Sequence, residues 1–235
     1  MEMKLKTWTS AIILSLFISV IFSLGCIEEN RSAEEIVAGM EKKQKEMTKE
    51  INDMSFTEVI TVSIGNESRT NESEVLYKRP KKYKRIENID SAITTIFVTN
   101  GTVMWIYKPQ EKSVRILNIP SEDFVPLTYY AETINFMLNN NKAEYKGTEL
   151  VDNRKAHKIM LVPKKQQDNF SYWFWLDDKT GLLLKIQTYR DGEPEMTLEH
   201  RNFEINMGIQ GSEFEFEIPE GVKVIRRDGR NISHH

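Results

Sequence analysis

Four histidines, one cysteine and a pair of adjacent aspartates are the side chains best suited to chemistry. The histidines are His157, His200, His234 and His235. None belongs to a His-Glu-x-x-His helix, the spacing that sets two imidazoles and a general base around a zinc ion. His157 and His200 stand far apart and read as structural, and His234-His235 closes the sequence without partner spacing. Asp177-Asp178 could be an acid pair or a calcium loop. Followed by Lys179-Thr180-Gly181 at the end of an apolar run, it reads instead as a turn. No Gly-x-Ser-x-Gly elbow and no phosphate-cradling glycine loop occurs. A protein that is not an enzyme is expected, with no metal and no cofactor.

Cys26 is the only cysteine. A disulfide scaffold, a cysteine-rich zinc site and a Cys-x-x-Cys redox pair are thereby excluded. Lys4 and Lys6 precede an apolar run from Ala11 to Leu24, broken only by Ser15, Ser19 and Ser23. A bilayer span needs about 20 apolar residues, so this shorter run fits a signal h-region better. It ends in Ser23-Leu24-Gly25-Cys26, and Glu28, Glu29, Asn30 and Arg31 follow. The ending resembles a lipobox, with Ser23 where that pattern usually has Leu. The expectation is a signal peptide over 1–25, a lipid-bearing Cys26 and a polar tether over 26–32. The domain would then sit in the cell envelope, at the outer face of the cytoplasmic membrane. A single acyl chain binds a bilayer only marginally, so a stable anchor implies two.

Composition fits a folded domain of mixed charge. Hydrophobic residues make up 40% and charged residues 29% of the 235, with both signs interspersed and a net charge of −3. That balance offers no basic footprint for nucleic acid. A basic run, Lys78 to Arg85, surrounds Pro80 and Tyr83 and reads as a solvated hairpin tip or as a contact for anionic head groups. Asn-x-Ser/Thr sequons occur at Asn30, Asn66, Asn71, Asn100, Asn169 and Asn231. Of these, Asn66, Asn71, Asn100 and Asn169 are the glycosylation candidates within the domain, and a glycoprotein is plausible where the host can glycosylate.

The elements that must position any site follow from periodicity. Ser32-Ala-Glu-Glu35 is a capping box opening an amphipathic helix to about Asp53. From Ser55 the apolar period falls to two, and strand-like runs separated by turn signals recur to Ile225. Asn100-Gly101 and Asp191-Gly192 are hairpin turns, since both residue types tolerate positive φ. The polar stretch Gly65–Asn71 reads as a loop. Phe214, Phe216 and Ile218, alternating with Glu213, Glu215 and Glu217, read as a half-buried strand. Asp123–Asn139 has helical spacing, with Phe124, Leu127, Tyr130, Ile134 and Met137 on one side. The sum is ten or eleven antiparallel strands in hairpin order plus two helices. The fold class expected is α+β, mainly antiparallel β.

Three stretches resemble a known family. Ala33-Glu-Glu-Ile-Val37 looks like the first helix of the LolA-like lipoprotein carriers, the outer-membrane lipoprotein-sorting proteins. Asn100-Gly-Thr-Val-Met-Trp-Ile-Tyr-Lys-Pro109 looks like that family's hairpin. Trp175-Leu-Asp-Asp-Lys-Thr-Gly-Leu-Leu-Leu-Lys185, then Phe214 and Pro219-Glu-Gly-Val222, looks like its C-terminal half. The resemblance implies a half-open β-barrel of about eleven strands, spanning 33–226 before a polar tail at 227–235, with helices closing the concave face. It also implies an apolar cavity for acyl chains of a lipid or lipoprotein. A shuttle of that family moves freely, whereas this chain looks anchored at Cys26, which favours lipid binding over shuttling.

Alternation nominates the lining of such a cavity: Val103, Trp105 and Tyr107; Phe174 with Leu176, or Trp173 with Trp175; and Leu182, Leu184 and Ile186. Tyr130, Ile134 and Met137 would form the lid. The partners expected are a membrane, through Cys26, and acyl chains, with the protein a monomer. The competing reading is a surface sensory or structural glycoprotein whose packed barrel binds a protein partner.

Overall fold

The computed structural model describes residues 32–65, 67–89, 92–118, 137–138, 140–164 and 169–227. The leader, Cys26, the tail beyond Arg227 and most of the expected second helix, including Tyr130 and Ile134, lie outside the described residues. Ser32 onward forms one compact unit.

Helix α1 spans Ala33–Glu50. Its capping box is complete: Glu35 N–H donates to Ser32 Oγ (3.2 Å) and Ser32 N–H to Glu35 Oε2 (3.1 Å). Two orphan donors of the first turn are thereby satisfied. Ile36, Val37, Met40 and Gln44 recur at helical spacing and are buried. The other end, where carbonyls lack helical partners, is closed by side chains from far away. Arg79 donates to Ile51 O (2.5 Å) and to Thr48 O, and Asn206 Nδ2 donates to Glu50 O (3.0 Å). No helix among the described residues is long and apolar enough to cross a membrane.

Among the described residues, twelve strands form one sheet. They are β1 (Asp53–Ile64), β2 (Glu67–Lys78), β3 (Lys82–Ile89), β4 (Ala92–Thr99), β5 (Val103–Lys108) and β6 (Ser113–Asn118). Then come β7 (Asn141–Val151), β8 (Arg154–Pro163), β9 (Phe170–Asp177), β10 (Leu183–Arg190), β11 (Glu193–Ile205) and β12 (Lys223–Arg227). The order is β12-β6-β5-β4-β3-β2-β1-β11-β10-β9-β8-β7. Two antiparallel meanders, β1–β6 and β7–β11, thus meet at a single seam between β1 and β11. The fold class, α+β with a mainly antiparallel sheet, agrees with the sequence reading.

Hairpin chemistry explains the meanders. Val151 pairs with Arg154, and Arg190 with Glu193, leaving two-residue turns at Asp152-Asn153 and Asp191-Gly192. All four turn residues have positive φ, the twist that such tight hairpins require. Asn100 Oδ1 accepts from the Thr102 and Val103 amides and braces the β4–β5 turn.

Three expectations are corrected. The polar stretch to Asn71 is no loop beyond its tip: Ile64 pairs with Glu67, and Asn71 lies inside β2 opposite Ile60. A hairpin overhanging the core needs no apolar residues, so its polarity mimicked a loop. Phe214–Ile218 is not a strand. Gly211–Phe214 is a 3-10 turn in a strap from Gly208 to Ile218 that crosses the sheet instead of pairing in it. Its alternation arises because Phe214 and Phe216 press down on strands while the glutamates face out. β12 joins the edge in parallel with β6, outside hairpin order.

Candidate functional site

Cross-strand partners share a face of the sheet, so register sorts every candidate. The near face is the one α1 covers. There Ile36, Val37 and Met40 pack on Ile159, Leu161, Phe174, Leu176 and Leu183. At the C-terminal end of α1, Ile51 packs with Met54, Phe56, Val75, Tyr77, Leu182 and Phe203. The far face carries a second cluster of Ala156, Trp175 and Leu184, with Trp173 against it.

The ten lining candidates therefore do not share one surface. Phe174, Leu176, Leu182 and Ile186 lie on the near face, within or against the packed clusters. Trp173, Trp175 and Leu184 lie on the far face, where Lys158 and Lys185 sit over the indoles at about 5 Å. A register shift between Leu183 and Lys185 breaks the alternation that had grouped Leu182, Leu184 and Ile186. Trp105 pairs with Val98, and Tyr107 with Ile96, again on the far face, alongside Val103. The strap covers them: the Phe216 ring stands 6.3 Å from that of Trp105 and 5.6 Å from that of Tyr107. Asp53, buried in β1, starts the strap by accepting from the Met207 and Gly208 amides, and Lys78 Nζ reaches Ile209 O at 2.7 Å. Lys84 pairs with Glu213 at 3.1 Å. Of the lid candidates, Met137 packs against the near-face cluster.

The near face of β3–β6 differs from the part under α1. The rows Arg85–Phe97–Ile106–Arg115 and Tyr83–Thr99–Met104–Leu117 cross it. Phe97, Met104, Ile106 and Leu117 are only half-buried. Beside them lies a buried polar group that sequence reasoning missed, because its members come from four strands. Arg85 Nη2 meets Glu58 Oε1 at 2.7 Å, and Arg85 Nε meets Glu87 Oε1 at 3.1 Å. His200 Nε2 lies 3.4 Å from Glu58 Oε2, and its Nδ1 2.9 Å from Leu183 O. Burial opposes the Arg85 charge, but Glu58 outweighs it and the guanidinium is raised above its ordinary value. Burial also pushes the Tyr83 phenol up. The basic run is thus committed internally: Lys78, Arg79, Lys84 and Arg85 each hold a partner.

The Asp177–Gly181 turn is the other constellation. Asp177 Oδ2 accepts from Arg154 Nη2 at 2.5 Å and from the Thr180 amide at 3.2 Å. Asp178 Oδ1 meets His157 Nε2 at 2.7 Å, and His157 Nδ1 meets Tyr145 Oη at 3.1 Å. His157 holds the Asp178 carboxyl below its usual range, helped by the Lys43 and Lys155 charges. This chain is a clamp built on the buried His157: it runs from the half-exposed Asp178 to a tyrosine packed against the core. No group of three or more His, Cys, Asp or Glu side chains able to hold a metal occurs among the described residues.

The model of the MucB/RseB N-terminal domain matches residues 41–215. The chain belongs to that family. The match runs from mid-α1 through both meanders into the strap. An uncharacterized protein of Methanocaldococcus jannaschii is 27% identical over 218 residues, covering 91% of this chain and 60% of the relative. The chain thus spans less than two thirds of that relative's length. A conserved protein from Thermus thermophilus has the same fold, with a TM-score of 0.51 at 10% identity, over 81% of this chain and 98% of that one. The MucA/MucB complex of Pseudomonas aeruginosa aligns with a TM-score of 0.40 at 13% identity, over 76% of this chain and 61% of that one.

Of the sequon asparagines, Asn30, Asn66 and Asn231 lie outside the described residues. Asn71 is half-buried in β2, whereas Asn100 and Asn169 are exposed. Asn169 Nδ2 already donates to Asp191 at 2.9 Å.

Proposed function

We propose that this MucB/RseB-family domain is an extracytoplasmic binding protein for the acyl chains of a lipid or lipoprotein, held at the membrane through Cys26. The observation that carries the reading is the half-buried apolar row on the near face of β3–β6, Phe97, Met104, Ile106 and Leu117, which α1 does not reach. A 14-carbon chain drawn into water loses on the order of 11 kcal/mol, at about 0.8 kcal/mol per methylene. Only a dry apolar surface offsets that loss, and a sheet face beside a packed helix offers one.

Intact mass spectrometry of the protein, isolated gently from its own membranes, tests the reading. A mass beginning at diacylated Cys26, with further lipid lost on denaturation, supports it. A chain free of bound lipid removes the acyl cargo.

A protein ligand is the second reading. The sheet ends in two edges, β7 and β12, and Val224 and Ile225 on β12 are exposed. Unpaired edges of this kind accept a partner strand. Co-purification of a stoichiometric protein in place of lipid would favour it.

A further inference from the structure

A cavity of about 540 Å³ opens at one end of the sheet, between the last turn of α1, the β9–β10 turn and the ends of β8 and β11. Met47, Phe203 and Ile205 supply its apolar wall, and Arg154, Lys155 and Lys179 its cations. Its size falls within the usual range for small-ligand sites.

The charge balance in this cavity is uneven. Asp177 is committed to Arg154 and Thr180, and Asp178 to His157 and Lys43. Lys155 and Lys179 form no ion pair among the described residues: Lys155 acts on Asp178 through its charge alone, and Glu50 is the remaining acid of the lining. The helix end would ordinarily repel an anion through its last carbonyls. Here Arg79 and Asn206 already occupy those carbonyls.

Arg154 decides the chemistry. Asp177 holds its Nη2, and its guanidinium lies over the Phe203 ring at 5.8 Å. Its Nε–H is buried and has no hydrogen-bond partner. A guanidinium with an unpartnered donor, flanked by two exposed ammonium groups, matches an oxyanion of more than one charge.

We propose that this cavity binds a phosphate monoester, with the Arg154 side chain shifting so that its buried, unpartnered Nε–H donates to one phosphate oxygen and Lys155 and Lys179 balance the charge. Met47, Phe203 and Ile205 then receive the glycerol-sized carbon fragment next to the phosphate. The proposal stands apart from the acyl site, which lies on other strands. A lipid head group and a soluble phosphate ester would present the same chemistry.

The experiment is calorimetric titration of the full chain with glycerol 1-phosphate, 1-palmitoyl lysophosphatidate and the neutral 1-palmitoylglycerol. Both phosphate ligands are expected to bind. Arg154→Lys, which keeps the charge and the pairing to Asp177 but has no Nε donor of that geometry, should weaken both by about tenfold. The double variant K155A/K179A, altered only at exposed positions, should weaken them while the protein stays folded by circular dichroism. Lysophosphatidate binding much tighter than glycerol phosphate identifies a lipid head group, and equal affinities identify a soluble ester. No binding of either phosphate ligand, or unchanged affinity in both variants, overturns the proposal. Binding of 1-palmitoylglycerol reads the acyl site alone, so failure there leaves the phosphate arm interpretable.

Discussion

Gly181 rests on the backbone of Met40: a β-carbon there would stand 2.1 Å from the Met40 carbonyl oxygen. Its φ is +73°, in the region that favours glycine. The β9–β10 turn thus docks directly on α1, and Lys43 Nζ adds a 2.5 Å bond to Asp178 O. The motif Asp-Asp-Lys-Thr-Gly is the fastening between helix and sheet.

Gly181→Ala is expected to cost about 2–4 kcal/mol, through strained backbone and a displaced helix. Urea denaturation reads it. Stability within 0.5 kcal/mol of the parent would mean that the turn has room to move away from α1.

Arg85→Met leaves the Glu58 carboxylate buried beside His200 without its cation. Breaking a buried pair from one side typically costs about 3–5 kcal/mol. The double variant R85M/E58Q should recover a large part of that loss. Recovery failing to appear would show that Arg85 acts through packing alone.

Acid should loosen the domain. Asp178 is held low by His157, and Glu149 by Lys158 and the Trp175 indole. Burial pushes the Glu199 carboxyl up, but Arg201 and Lys185 outweigh it and hold it low. A carboxyl with a depressed folded pKa stabilises above the unfolded value, about 4, and loses that contribution as pH falls through the folded one. Denaturation midpoints should therefore be flat near neutrality and drop below about pH 4–5. Asp178→Asn should shift the neutral midpoint down and converge with the parent at low pH. Parallel curves at every pH would remove Asp178 from the account.

Ile106 and Trp105 are neighbours on β5 that point to opposite faces. Ile106→Ala should weaken a fluorescent fatty acid by about tenfold. Trp105→Ala should cost roughly 3 kcal/mol of stability and leave that affinity within about twofold. The reverse pattern would place the acyl site under the strap.

The helix start, most strands and the tight turns were legible because their causes are local. A capping oxygen, a period of two and a turn residue with positive φ each act within a few positions. Face assignment was less legible. Trp173 and Phe174 are equally apolar, and only the α1 contacts decide which of them meets the helix. The shift at Leu183 inverts the expected order without any glycine or proline to announce it. Glu58, Arg85 and His200 come together across β11, β1, β2 and β3, a relation no spacing encodes. Arg154 became a site residue only once the end of β11 brought Phe203 beside it.

The β1–β11 seam has a kinetic meaning. Every other antiparallel pairing joins strands adjacent in the chain, so each meander can form by local closure. The seam instead joins residues such as Glu58 and His200, separated by most of the domain. Long-range pairing of this kind is slow, because the loop must be closed before the contacts repay it. α1 and β1 precede β11 in the chain and have to wait for nearly the whole domain. In that interval the open edge of β1 is the surface that needs protection.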